Sequence, residues 1–152
     1  MNSSRPRQDP LFSPHADVAG LLRHLDASVS PAHAVDYCAT QLRLAGFQEM
    51  SFSKLGSALP NYGFIAESGL LLAWDNASDN FSHFRIVGAH TDSPCLKIKP
   101  LPDVGNFGWR QLGVEIYGGI LSNSWLDRDL GLAGRVVLSD HSVSLVRVDE
   151  AG

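Results

Sequence analysis

Phe84-Arg85-Ile86-Val87-Gly88-Ala89 runs directly into His90-Thr91-Asp92-Ser93-Pro94. The first six residues are mostly apolar and predict a central strand over Phe81 to Ala89, ending on the histidine. In open α/β sheets, ligand sites form just outside the carboxyl ends of strands, which makes His90 and Asp92 the candidate functional residues. Neutral imidazole is a common Zn²⁺ ligand, and it works best when its other ring nitrogen donates to a carboxylate. That donation fixes the tautomer and raises ligand basicity. An Asp two residues on is suited to this role, or to orienting the ligand through the backbone. The pattern is short, and on local sequence alone a satisfied surface or core histidine is the commoner case.

Upstream, Ser13-Pro14 predicts a helix start: the serine oxygen accepts a free backbone N–H, and proline has none to lose. Val18, Leu21, Leu22, Leu25 and Val29 follow at i, i+3, i+4, i+7 and i+11, one apolar stripe of an amphipathic helix. Ser30-Pro31 repeats the cap. Val35, Cys38, Ala39, Leu42 and Ala45 form a second stripe, and Gly46 supplies a left-handed stop. Phe47 to Phe52 alternates imperfectly as a strand. Tyr62–Ala66 and Leu70–Trp74 flank Glu67-Ser68-Gly69 as a hairpin, and Asp75 to Asn80 reads as a polar turn. Residues 1–12, polar and proline-rich, are expected to be a disordered N-terminus.

Downstream, Cys95 to Lys99 alternates until Pro100 and Pro102, which are expected to break it. Glycine then becomes dense. Leu112 to Tyr117 alternates as a half-buried strand, and Ala133–Leu138 with Val143–Val148 brackets Ser139-Asp140-His141-Ser142 as a second hairpin. A helical and stranded part thus gives way to an all-β part, and a domain boundary is expected near Pro100. No internal repeat or phosphate-loop spacing is present.

Composition bounds the rest. A chain of 152 residues, 44% hydrophobic and 18% charged, fits one soluble globular domain and excludes an intrinsically disordered one. No apolar run approaches the ~18 residues of a membrane span. No apolar segment follows Arg5 and Arg7, so no secretory signal is visible, and the Asn-x-Ser matches at Asn2, Asn76 and Asn80 carry no meaning without secretion. Two cysteines suit a reducing cytoplasm. Twelve basic against sixteen acidic residues, with no basic run, argue against a nucleic-acid or membrane-surface partner.

The sequence resembles the M18 family of metalloaminopeptidases, the aspartyl aminopeptidases. The strongest match is Val87-Gly88-Ala89-His90-Thr91-Asp92-Ser93-Pro94-Cys95-Leu96-Lys97-Ile98-Lys99-Pro100. A second runs from Leu112-Gly113-Val114-Glu115-Ile116-Tyr117-Gly118-Gly119 through Trp125-Leu126-Asp127-Arg128-Asp129-Leu130 to Val136. A weaker third is Ser30-Pro31-Ala32-His33-Ala34-Val35, with Ala45-Gly46-Phe47 after it. It departs from the family where Ala32 stands in a Thr-Pro-Phe-His-like stretch, and at Ile120 to Ser124, where members vary.

The resemblance implies an α/β fold: residues 13–100 as the N-terminal part of a zinc-exopeptidase-type catalytic domain, and 101–152 as the start of an inserted β-rich dimerisation domain. It implies His90 as the first metal ligand of a two-zinc site, with other divalent metals possible. Asp92 becomes the acidic residue that supports this ligand without binding the metal, the catalytic candidate of this chain. Two metals would bind the peptide amine and carbonyl and activate a bridging water, with a separate Glu as general base. The other ligands belong to later family sequence, so the chain reads as an N-terminal fragment. The reading is a cytoplasmic zinc aminopeptidase that removes N-terminal acidic residues, Asp or Glu, from peptides and forms a homo-oligomer at full length. The isolated chain is expected to be inactive. The alternative is a non-catalytic fragment acting as an assembly or interaction module through its β-rich tail, whose open strand edges favour self-association.

Other residues receive plainer roles. Asp127-Arg128-Asp129 is expected to form structural ion pairs, and Cys95 to be a small buried cysteine that the family keeps without using as a ligand. His33 is expected to be a cap or surface contact. His15, His24, His83 and His141 have no partners at metal-binding spacing. Trp74, Trp109 and Trp125 are expected as core or interface anchors.

Overall fold

The computed structural model describes residues 14–56, 58–76 and 84–149. The expected disordered N-terminus, the Ser13 cap and the first three residues of the expected central strand lie outside them. The chain divides into two compact units: one takes the chain as far as Thr91 and resumes at Gly131, and the other is Asp92–Leu130.

The first unit begins with α1 (Pro14–Ala27) and α2 (Pro31–Leu44). Ser30 is extended, and its hydroxyl oxygen accepts from the His33 backbone N–H at 3.4 Å while meeting the His33 ring Nδ1 at 2.7 Å. Ser30 is thus the cap, and His33, expected as a cap or surface contact, meets the capping hydroxyl through its ring. At the other end Gly46, with φ 84°, turns left-handed. Its N–H reaches the Arg43 carbonyl and that of Phe47 reaches Leu42, both at 3.0 Å, which satisfies carbonyls the helix leaves open.

Three strands follow: β1 (Gln48–Glu49), β2 (Tyr62–Glu67) and β3 (Leu70–Asp75), in the order β1-β2-β3. The expected strand over Phe47–Phe52 shrinks to the two residues of β1, which pair parallel to β2; a 3-10 turn takes Phe52–Lys54. The expected hairpin is present. Glu67 stands opposite Leu70, so Ser68 and Gly69 make a two-residue turn, with Ser68 at φ 54°.

Helix α2 packs on all three strands and on a later strand, β6 (Leu132–Val137). The apolar core of the described residues is Ala34, Val35 and Ala39 from α2 with Phe64 and Ile65 from β2. Successive strand residues face opposite ways, so burial of Gly63, Phe64 and Ile65 in a row means that both faces of β2 are covered. Full burial of Phe64 and Ile65 stabilises by about 1.5–3 kcal/mol each. The α1 stripe is less buried than its periodicity implies: Val18, Leu21, Leu22 and Leu25 each stay more than half exposed.

Strand β6 pairs with β7 (Val143–Val148) as the expected second hairpin. Its turn is held by the Asp140 carboxylate, which accepts from both the N–H and the hydroxyl of Ser142, at 2.9 and 2.6 Å. Two arginines tether the hairpin within this unit. Arg135 donates to the Ser68 hydroxyl at 2.9 Å, and Arg147 to the Asp26 carbonyl at 2.8 Å, capping the open end of α1.

In the second unit β4 (Cys95–Asp103) pairs antiparallel with β5 (Leu112–Tyr117). Pro100 and Pro102 do not end the strand. The register shifts between Ile98 and Asp103, so residues without an N–H fall where the ladder is already irregular. Phe107 (φ 51°) and Gly108 (φ 85°) turn the chain back through an Asn106–Trp109 bridge. Leu112–Tyr117 forms the expected strand and is partly covered: Val114 and Tyr117 are 39% and 40% exposed, Leu112 and Ile116 54% and 65%. Trp109, 73% exposed, is no core residue. Arg128 donates to the Ser124 carbonyl at 3.4 Å and forms no ion pair with Asp127 or Asp129. Among the described residues no helix is long and apolar enough to cross a membrane.

Candidate functional site

The run Phe84–Ala89 is assigned to no strand, against expectation. Apolarity favours burial, but a strand also needs a second backbone to match its N–H and C=O groups, and no described strand pairs with this run. Phe84, Ile86 and Val87 are accordingly 83%, 88% and 96% exposed. His90, at the end of the run, is exposed as well. Next to it, the Thr91 hydroxyl donates to the Gly69 carbonyl at 2.6 Å, so the segment that carries the histidine is tied to the β2–β3 turn.

Asp92 opens the second unit and is partly covered. The Tyr117 hydroxyl, at the end of β5, donates to its Oδ2 at 2.6 Å. This hydrogen bond, together with the carboxylate's negative charge, holds the Tyr117 phenol above the ordinary tyrosine range. Lys97 Nζ lies 5.2 Å from the centroid of the same ring, within reach of a cation–π attraction. Cys95 stands directly opposite Tyr117 in the ladder and is partly covered rather than buried. Tyr117 and Lys97 received no role from the sequence. Both strands were legible as alternating segments, and pairing them as a hairpin would have brought Tyr117 beside Cys95, three residues from Asp92.

His90 meets the donor chemistry of zinc but not its number, since a catalytic zinc takes about three protein ligands. Among the described residues no group of three or more His, Cys, Asp or Glu is placed to hold a metal ion. The described residues therefore do not by themselves fit a catalytic zinc site. His24, assigned nothing, comes within 4.0 Å of Cys38 Sγ through Nδ1, and burial pushes the Cys38 thiol up, away from a reactive thiolate.

A separate concavity of about 340 Å³ lies in the first unit, between α2 and the β6–β7 hairpin. Val35, Ala39, Ala66, Val143 and Leu145 make its apolar lining, and His90 is not part of it. Three of its charged residues are already engaged: Arg43 pairs with Glu49 at 2.8 Å and lies 5.7 Å from the Phe64 ring centroid, while Arg135 holds Ser68.

The family model described as "Aminopeptidase I zinc metalloprotease (M18)" matches residues 24–150. Fold and match together define a metalloprotease-type α/β chain. More particularly, the chain belongs to the M18 aminopeptidase family. It is 50% identical over 131 residues to a "Probable M18 family aminopeptidase 2" of Streptomyces avermitilis, covering 85% of this chain and 30% of that one. A protein of the same name from Mycobacterium leprae is 41% identical over 143 residues, covering 89% of this chain and 34% of its own. Among solved structures, "Cryo-EM structure of the Ape4 and Nbr1 complex" is similar with a TM-score of 0.74 and 33% identity, covering 87% of this chain and 27% of that one. The chain thus spans about a third of the length of the curated relatives it matches.

Proposed function

We propose that this chain is the N-terminal portion of a zinc-dependent aminopeptidase that removes N-terminal residues, preferentially Asp or Glu, from peptides. The observation that carries the reading is the family match over residues 24–150, which includes the His90-Thr91-Asp92 segment at the start of the expected site. In this reading His90 is one ligand of a two-metal centre and Asp92 supports it. The described residues contribute no complete ligand set, so the 152-residue chain alone is inactive. Residues 13–100 then belong to the catalytic domain and 101–152 open an inserted β-rich domain used for homo-oligomer formation. The cytoplasm is the proposed compartment.

Turnover of aspartyl, glutamyl and leucyl p-nitroanilides by the longer polypeptide, with and without a chelator, tests this. Chelator-sensitive release, fastest from the acidic substrates, is expected, and its loss in His90→Ala. Turnover unaffected by chelation refutes the zinc reading, and equal rates on all three substrates refute the acidic preference. Stoichiometric sub-micromolar binding of two Zn²⁺ by the isolated chain contradicts its inactivity.

A second reading, an inactive fragment acting as an assembly module, has one specific observation behind it. In the second unit Leu101, Phe107 and Trp109 are 89%, 92% and 73% exposed beside a sheet of only two strands, a composition suited to association. Size-exclusion chromatography decides: a concentration-independent monomer argues against it.

A further inference from the structure

We propose that Tyr117 is a positioning residue for Asp92, so that β5 supplies a side chain that sets the direction of the Asp92 carboxylate. The proposal rests on the reading of Asp92 as the acidic residue that supports the site. Three features of the second unit carry it. The Tyr117 hydroxyl meets Asp92 Oδ2 at 2.6 Å, a short hydrogen bond to an ionised acceptor, the stronger kind. The phenol is itself held in place: β4–β5 register sets Tyr117 opposite Cys95, and Lys97 sits over its ring.

The third feature is the close approach of the two backbones beyond the pair. Gly118 adopts φ 71°, and a Cβ there would meet three Pro94 atoms at 3.4 Å. The segment after Tyr117 therefore runs against the segment after Asp92, and the side chains that precede each are brought together. A carboxylate offers about four acceptor positions on two oxygens. Fixing Oδ2 from one direction sets the rotation of the group, and so the direction in which Oδ1 presents its lone pairs. A tyrosine is suited to this: its hydroxyl sits at the end of a rigid ring, with few rotamers to freeze.

The experiment is a double-mutant cycle of Tyr117→Phe and Asp92→Asn in the longer polypeptide, reading kcat, KM and bound zinc. It is paired with ¹³C NMR of labelled tyrosine ring carbons in the present chain. Asp92→Asn is expected to lower kcat about 10–100-fold, as loss of a group supporting a metal ligand does. Tyr117→Phe is expected to lower kcat about 3–10-fold with KM and melting temperature unchanged, and to add nothing in the Asp92→Asn background. In the chain, Asp92→Asn should bring the Tyr117 phenol titration down toward the ordinary range. Wild-type turnover in Asp92→Asn refutes the reading of Asp92 itself, and the proposal with it. A loss in Asp92→Asn with wild-type turnover in Tyr117→Phe, or with independent, additive losses, overturns the positioning role alone. A phenol titration that Asp92→Asn leaves unmoved overturns it without reference to any turnover.

Discussion

Gly63 is the position where one methyl group should do the most damage. It stands directly opposite Trp74 in the β2–β3 ladder, and a Cβ there would clash with Cζ2 and Cε2 of the indole and lie 2.9 Å from Pro60 Cγ. The ring cannot swing aside cheaply, because its N–H donates to the Pro60 carbonyl at 2.9 Å. In Gly63→Ala the overpacking costs about 1–3 kcal/mol. Displacing the indole from its acceptor adds about 0.5–1.5 kcal/mol. Against these, alanine restricts the unfolded chain and returns about 0.4–1 kcal/mol. The net is a destabilisation of about 2 kcal/mol, which lowers the melting temperature by roughly 4–8 °C for a chain of this size. Thermal unfolding followed by far-ultraviolet circular dichroism measures it. Trp74→Leu should remove the larger obstacle and leave only Pro60 Cγ, so the same glycine substitution made in that background should cost clearly less than in the wild type. A Gly63→Ala variant that melts at or above the wild-type temperature, or one whose cost persists without the indole, refutes the reasoning.

Ser30→Ala removes the hydroxyl oxygen that caps α2 and meets the His33 ring, and should cost about 1 kcal/mol in urea unfolding, while Ser30→Asp keeps most of the stability. At the β6–β7 turn, the hydroxyl and N–H of Ser142 favour the charged form of Asp140 and hold its carboxyl below the usual 3.8. Because the folded-state value is depressed, the stabilisation is present above the unfolded value and is lost as the pH falls through the folded one. A ¹³C titration of the Asp140 carboxyl should show the low midpoint, and Ser142→Ala should raise it; an unchanged midpoint refutes the assignment.

The helices and both hairpins were legible because their signals are local. Ser30-Pro31 and Gly46 mark the ends of α2 by backbone chemistry that needs no neighbour, and Ser68-Gly69 and Ser139 to Ser142 are turn residues between alternating runs. The family resemblance was legible too, since motif order and spacing survive without any knowledge of packing. Phe84–Ala89 was not read correctly, because a strand is a property of two backbones and its hydropathy describes only one. The prolines of β4 misled for the same reason: whether a missing N–H matters depends on where the register shifts. The α1 stripe predicted a helix correctly and its burial poorly, since periodicity fixes a face and not what covers it.

What the amino-acid sequence determined by itself was therefore the two helices, the two hairpins and the family. Each follows from a residue's own conformational limits or from a pattern of neighbours along the chain. Tertiary structure alone decided that α2 is the hub against which β2 and β6 pack, and that Gly63 must yield its space to Trp74. It also brought Tyr117 to Asp92. These depend on strand pairing between residues far apart in the chain, where the free energy of a contact is set by register and packing and leaves no periodic trace in the sequence.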